Sequence, residues 1–381
     1  MVRWNRSLAV ALSLPLCTWF AGATADCPDA PTFTINSQEE ADQLSKCRTF
    51  KGDIVISGDA VGNLTLEGPV KIDGKVYTDS DSSGATSRLS AISSDTIESI
   101  TGDLNISSLG ELKSISLPSL SLVGGALTIS KLPELVDLHL EDINSVASFR
   151  LISAPKLLDA EIGLPLLAED LDVGLKHITD ETDAVIEVRD VGLEGLGGLM
   201  NFWNASTFIL EDMPNLDEAL LLALRIGQAR ISGNGKLKLF MSEKSVGSVQ
   251  PVLETLNITG VRHISPCLWP DVHEFAAVNT TAEYLHFGFK QVRRLEIRDN
   301  PYMKTLVPWN GNNLWEWNLT DVLIQNNPLL SLKQYPRRAN NDSLTELDCP
   351  FMYENNEDAW TWYPFHMNTV VINASIDNTF L

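Results

Sequence analysis

The chain has 381 residues, a mean hydropathy of -0.00 and a formal net charge of -22. A balance this acidic disfavours nucleic acid and anionic membrane as partners, because both are polyanions. The length suits two or three ordinary domains, unless the chain is a repeat array, which grows as one continuous body.

Residues 1–25 read as a secretory leader. Arg3 and Arg6 precede the apolar run Leu8–Phe20, and Ala23-Thr24-Ala25 supplies a small-residue cleavage site. The run is too short to span a bilayer. Cys17 leaves with the leader, so Cys27, Cys47, Cys267 and Cys349 remain. In an oxidising compartment an even number of cysteines points to disulfides, and four allow three pairings. Cys27–Cys47 with Cys267–Cys349 is the favoured set: the first would staple the end of an array, which needs a cap, and the second would tie its less regular part together. No pair has CxxC spacing, which argues against zinc and thioredoxin-type chemistry.

Eight N-glycosylation sequons follow the leader, at Asn63, Asn105, Asn204, Asn257, Asn279, Asn318, Asn341 and Asn373. That is about twice the number expected by chance for this composition. Each one that is used has to lie at the surface.

A repeat runs through the rest of the chain. Seven windows share one template: apolar, any, apolar, two free positions, apolar or Asn, Pro or Gly, any, apolar. They begin at Leu104, Leu127, Phe149, Phe208, Ala229, Leu295 and Val322. A period near 22 residues marks a solenoid. In a strand, positions one and three point to one face and enter the core, whereas position two faces out. The outward residues are Asn105, Thr128, Arg150, Ile209, Arg230, Glu296 and Leu323. Pro or Gly at position seven is expected to turn the chain. Apolar pairs such as Ile115 with Leu117, and Leu138 with Leu140, predict a return strand. Asn at position six (Asn234, Asn300, Asn327) is placed to form short ladders that satisfy buried turn amides. The expected fold is therefore mainly β, a parallel β-solenoid around a narrow Leu/Ile/Val core.

Several stretches break the pattern. Asp79–Arg88 (DSDSSGATSR) reads as a loop. Leu216–Leu224 (LDEALLLAL) reads as a helical turn or two replacing a return strand. From about residue 246 the spacing loosens and aromatics gather. Trp315 with Trp317, and Trp360 with Trp362, have strand-like spacing, so one face of each pair could stack on sugar rings; the alternative is that they fill the end of the core. The chain thus divides into leader 1–25, repeat region 26–350, and tail 351–381. The longest aliphatic run near the tail's end is Val370-Val371-Ile372, short of the roughly ten apolar residues of a glycolipid anchor signal.

No HExxH, P-loop or GxSxG pattern occurs, and the histidines are scattered, with His263 and His273 flanking Cys267. Acidic groups at Asp170 with Asp172, Asp180 to Asp183, and Glu211 with Asp212 sit in polar turns, where a solubilising carboxylate is the usual case. No cofactor or metal is expected. Asn105 and Asn257 are outward sequons, so a glycan there would keep a protein partner off those coils and favour the coils from Thr128 to Arg150.

The leader, the early cysteine pair and coils such as LTISKLPELVDLHL together resemble the fungal cell-wall organisation proteins. This is the GPI-anchored group that includes the sporulation-specific wall proteins, with receptor L-domain-like leucine-rich repeats. The likeness spans about Cys27 to Cys349 and rests on a repeat and a cysteine pattern rather than on a catalytic motif. It implies a right-handed solenoid, heavy N-glycosylation, a place in the cell wall or at the outer plasma membrane, and no catalysis. The sequence lacks the Ser-rich stalk and the anchor tail of that group, which implies a secreted form. The expected partners are cell-wall polysaccharide or mannoprotein. A receptor-like, host-facing module and a polysaccharide-active enzyme are the alternatives.

Overall fold

The structure, a computed structural model, describes residues 27–79, 88–163, 184–196, 201–242, 252–267, 271–287, 291–308, 320–332 and 368–376. It is mainly β, with one large parallel sheet, as a β-solenoid requires. The front of the molecule is a succession of strands stacked coil on coil. It runs from Thr32–Ile35 through Asp53–Ser57, Val76–Asp79 and Leu104–Ser107 to Asp321–Gln325 and Thr369–Ile372. Every pairing is parallel, so each front strand donates and accepts along both edges. Among the described residues Thr32–Ile35 begins this row and Thr369–Ile372 ends it, each with one front neighbour.

The register explains the repeat. Position one of each coil falls on position one of the next: Leu104 on Leu127, Leu127 on Phe149, Phe149 on Ile186, Ile186 on Phe208 and Phe208 on Ala229. The column continues through Leu256, Phe275, Leu295 and Val322. These residues, and those two places further on, are buried, whereas none of the seven expected outward residues is. A one-residue slip would turn the whole apolar column outward, so burial fixes the register. On the opposite side the return strands also stack in parallel. Val61–Thr65, Arg88–Ser93, Ser114–Ser116, Asp137–Leu140 and Glu161–Ile162 form one sheet. Lys238–Ser242, His263–Cys267, Tyr284–Phe287 and Thr305–Pro308 continue the pattern in later coils.

The corner between front and return strands differs from expectation. The chain turns two residues before the Pro or Gly, at position five. There Ser108, Lys131, Ser153, Asp190, Asp212, Asn279, Asp299 and Asn326 all adopt φ between 51° and 59°. Position six then points inward and is buried: Leu109, Leu132, Ala154, Val191, Met213, Thr280, Asn300 and Asn327. A left-handed residue with a Cβ costs roughly 1–2 kcal/mol, and glycine returns part of that through its larger unfolded-state entropy. Lys131→Gly, at an exposed corner, is therefore expected to raise stability by about 0.5 kcal/mol. Lys131→Val should lower it by about 1 kcal/mol, because a β-branched side chain tolerates positive φ least. Thermal unfolding of the two variants checks both signs.

The asparagine ladder is present. Asn300 Oδ1 accepts from the Thr280 backbone N–H and Oγ1, each at 2.8 Å, and its Nδ2 donates to the Ala277 carbonyl at 3.0 Å. Asn300 Nδ2 also reaches Asn327 Oδ1 at 2.9 Å, and Asn327 Nδ2 donates to the Ile297 carbonyl at 2.9 Å. Asn234 closes its own turn by accepting from the Lys236 and Leu237 N–H groups while donating to Pro214 O.

Leu216–Leu224 does not form a helix. Glu218–Ser232 is one long strand that pairs first with Lys238–Ser242 and then with Asn201–Glu211 and Val252–Thr259. The run of leucines favours a helix locally, but a helix here would leave the amides of the coils on either side unpaired. The first coil is closed by the helix Gln38–Ala41, capped by Ser37, and by the turn Asp42–Lys46. Ala41 and Leu44 are fully buried under this lid, and the Cys27–Cys47 disulfide ties it down. Ser37 and Glu40 have capping-box spacing, so the lid carries a sequence signal of its own. Among the described residues no helix is long and apolar enough to cross a membrane.

Candidate functional site

The front sheet carries a shallow groove of about 370 Å³ across five successive strands, from Val252–Thr259 to Thr369–Ile372. Two outward columns line it, and the parallel register dictates both. The first runs Glu274, Arg294, Asp321, Thr369. The second, two residues further along each strand, runs Asn257, Ala276, Glu296, Leu323, Val371. The first column is charged or hydroxylic; the second has small or apolar members at Ala276, Leu323 and Val371. Ala276 gives the groove its depth, because its neighbours on both sides carry longer side chains.

The charges are held in place. Arg294 Nη1 donates to Glu274 Oε1 at 3.0 Å across adjacent strands. Arg298 grips Glu296 Oε1 at 2.8 Å and Asp299 Oδ2 at 2.7 Å, and Glu296 raises the guanidinium's pKa further. Thr320 Oγ1 donates to Asp321 Oδ2 at 2.9 Å. Strands in such a sheet are about 4.8 Å apart, so the five strands present a row roughly 19 Å long. Four of those strands carry the acceptors and donors of the first column, beside a second column that is apolar at Ala276, Leu323 and Val371. This arrangement suits a polar, flat-faced ligand with a repeat of its own. The apolar strip can take C–H faces, and the carboxylates and guanidinium can take hydroxyl groups.

The expected site residues fall in several places. Asn63, Asn257, Asn279 and Asn373 are exposed; Asn105 is half-buried among its neighbours on the front sheet. Asn204 lies within the strand Asn201–Glu211. Asn318, Asn341, Cys349, Trp315, Trp317, Trp360 and Trp362 lie outside the described residues. So do the Asp79–Arg88 loop apart from its two ends, the acids at Asp170, Asp172 and Asp180 to Asp183, and with Cys349 the Cys267–Cys349 pairing. Glu211 and Asp212 end a front strand, and Asp212 serves as the left-handed corner of its coil.

The sequence reading missed the groove. Three of its strands belong to coils that fail the seven-window template: Leu256 has Arg262 where Pro or Gly was required, Phe275 has Thr281, and the Val370 coil ends differently. Of the lining residues, Asn257 was singled out as a sequon and Glu296 and Leu323 as outward positions, but nothing in the sequence joined them. The signal that could have found the groove is the column itself: Ala276 between Asn257 and Glu296, once the strands are aligned at position one. Comparison with protein-family models, with curated proteins and with solved structures finds no match.

Proposed function

We propose that this protein is a non-enzymatic, extracellular glycoprotein that recognises or scaffolds cell-wall polysaccharide or mannoprotein, in the manner of the fungal wall-organisation proteins that its repeats resemble. In this reading the parallel sheets wind as a right-handed solenoid of receptor L-domain-like coils. The observation that carries the reading is the two-column groove. Its spacing comes from the sheet, and one coil advances by about 4.8 Å, close to the length of one pyranose residue in an extended chain. Its Glu274 is neutralised by Arg294 in the front register, an arrangement that positions hydroxyl groups rather than activating a water. The exposed sequons that do not line the groove, at Asn63, Asn279 and Asn373, fit a surface that faces a secretory pathway.

The test uses the full chain produced in a secretory host, incubated with insoluble β-glucan and with chitin. Retention on one of them is expected. Ala276→Trp, which fills the groove from its exposed side, is expected to abolish retention while leaving thermal unfolding unchanged. Retention on neither polymer would favour the host-facing receptor reading, and release of soluble sugar from either would favour an enzyme. Wild-type retention that Ala276→Trp leaves intact would move the binding surface away from this groove.

A further inference from the structure

The return sheet brings together three side chains that the glycan reading does not use. His139 lies in the strand Asp137–Leu140, and Glu161 in Glu161–Ile162 is its direct register partner on the next coil. Glu141 follows His139 by two residues. His139 Nδ1 is 2.9 Å from Glu161 Oε2 and 3.4 Å from Glu141 Oε1. The three ligand atoms all lie within 4.8 Å of one another. Gly163 permits this approach: a Cβ there would collide with the Glu141 carbonyl oxygen, so only glycine lets the second coil pack flat against the first. On the other side the register partner of His139 is Ser116, which brings no cation to the cluster.

A salt bridge needs one carboxylate, yet here two converge on a single imidazole. Like charges this close repel, and a cation between them removes that cost. The geometry suits a small ion. In a tetrahedral shell with bonds of about 2.1 Å, ligand atoms stand about 3.4 Å apart. The nitrogen-to-oxygen spacing to Glu141 already matches that value, the one to Glu161 has to open by about 0.5 Å, and all three atoms start within 4.8 Å of one another. The three side chains are 38%, 40% and 58% exposed, so they are free to make that adjustment, and water can complete the shell. An imidazole with two carboxylates is a donor set for zinc and its neighbours, whereas calcium and magnesium prefer oxygen alone.

We propose that His139, Glu141 and Glu161 form a site for a divalent transition-metal ion of the zinc class, bridging two successive coils of the return sheet. His139 coordinates through Nδ1, and one oxygen from each glutamate completes a three-point protein set that leaves room for solvent or a ligand from a partner.

Zinc chloride titrated into the metal-free full chain, followed by calorimetry, tests the site. One equivalent is expected to bind. His139→Ala is expected to remove that binding, and Glu161→Gln to weaken it at least tenfold, since even indirect disturbance of a metal site costs 10–100-fold. Thermal unfolding without metal should be nearly the same for wild type and both variants, because the three groups are surface groups. With zinc present only the wild type should gain a higher melting temperature. Absence of zinc binding by the wild type overturns the proposal, as does binding that both variants retain in full.

Discussion

Asn300→Leu is expected to lower the stability of the front sheet by about 3–5 kcal/mol, as two or three buried polar groups lose their partner at about 1–3 kcal/mol each. The substitution keeps the branched side-chain skeleton, slightly enlarged, but removes every polar atom. The Thr280 N–H and hydroxyl lose the oxygen they share, and the Ala277 carbonyl loses its donor. None of the three can turn to water, because Thr280 and Asn300 are almost fully buried. Asn327 Oδ1 keeps one donor, the Asn300 backbone N–H at 3.0 Å, so the damage should weaken towards the next coil. Stacked repeats interact mainly with their neighbours, so the loss should appear as faster amide exchange confined to the coils around residues 275–327. Thr280→Val, which replaces only the hydroxyl with a methyl and leaves the backbone N–H bond to Asn300 in place, should cost about 1 kcal/mol. Equal losses for the two variants would show that the ladder is not the source of the stability.

Phe208→Ala should cost about 3–5 kcal/mol, the range for an aromatic side chain removed from a packed core. Phe208 is 1% exposed and stands in the inner column between Ile186 and Ala229. Ala229 is the smallest member of that column and is the direct register partner of Phe208 on the next strand. Removing the ring puts two alanines side by side, and parallel strands fixed at about 4.8 Å cannot move together to close the gap. Ala229→Leu introduced with Phe208→Ala should therefore recover part of the loss, and a double-mutant cycle of unfolding free energies should give a favourable coupling. An additive result would mean that the two positions do not share one packing volume.

The repeat was readable because burial acts on every coil alike. Leu104, Leu127 and Phe149 each had to be apolar, so a simple template revealed strands, their period and their inner face. The ladder at Asn300 and Asn327 was readable for a similar reason: a polar residue in an otherwise apolar position has to find a partner. The Cys27–Cys47 pair followed from the need to close the first coil. The corner was less readable. Pro and Gly at position seven marked the turn, but the left-handed residues at position five are serine, lysine, aspartate and asparagine. No single residue type is required there, because packing on both sides of the strand covers the local cost.

The helix expected at Leu216–Leu224 failed because local preference is small beside the amides that two neighbouring coils leave open. The groove and the His139 cluster stayed hidden for another reason. Glu274, Arg294 and Asp321 are about 20 to 27 residues apart in sequence, and His139 and Glu161 are 22 apart, but each pair or trio shares one register position. Composition and periodicity by themselves determined a mainly β chain, its inner columns and the outward direction of alternate residues, since burial of apolar surface depends on little more than the period. Which outward residues meet was decided only by tertiary structure. Coils of unequal length bring partners together through the hydrogen-bond register of the sheet, and that register is set by the whole stack rather than by any one coil.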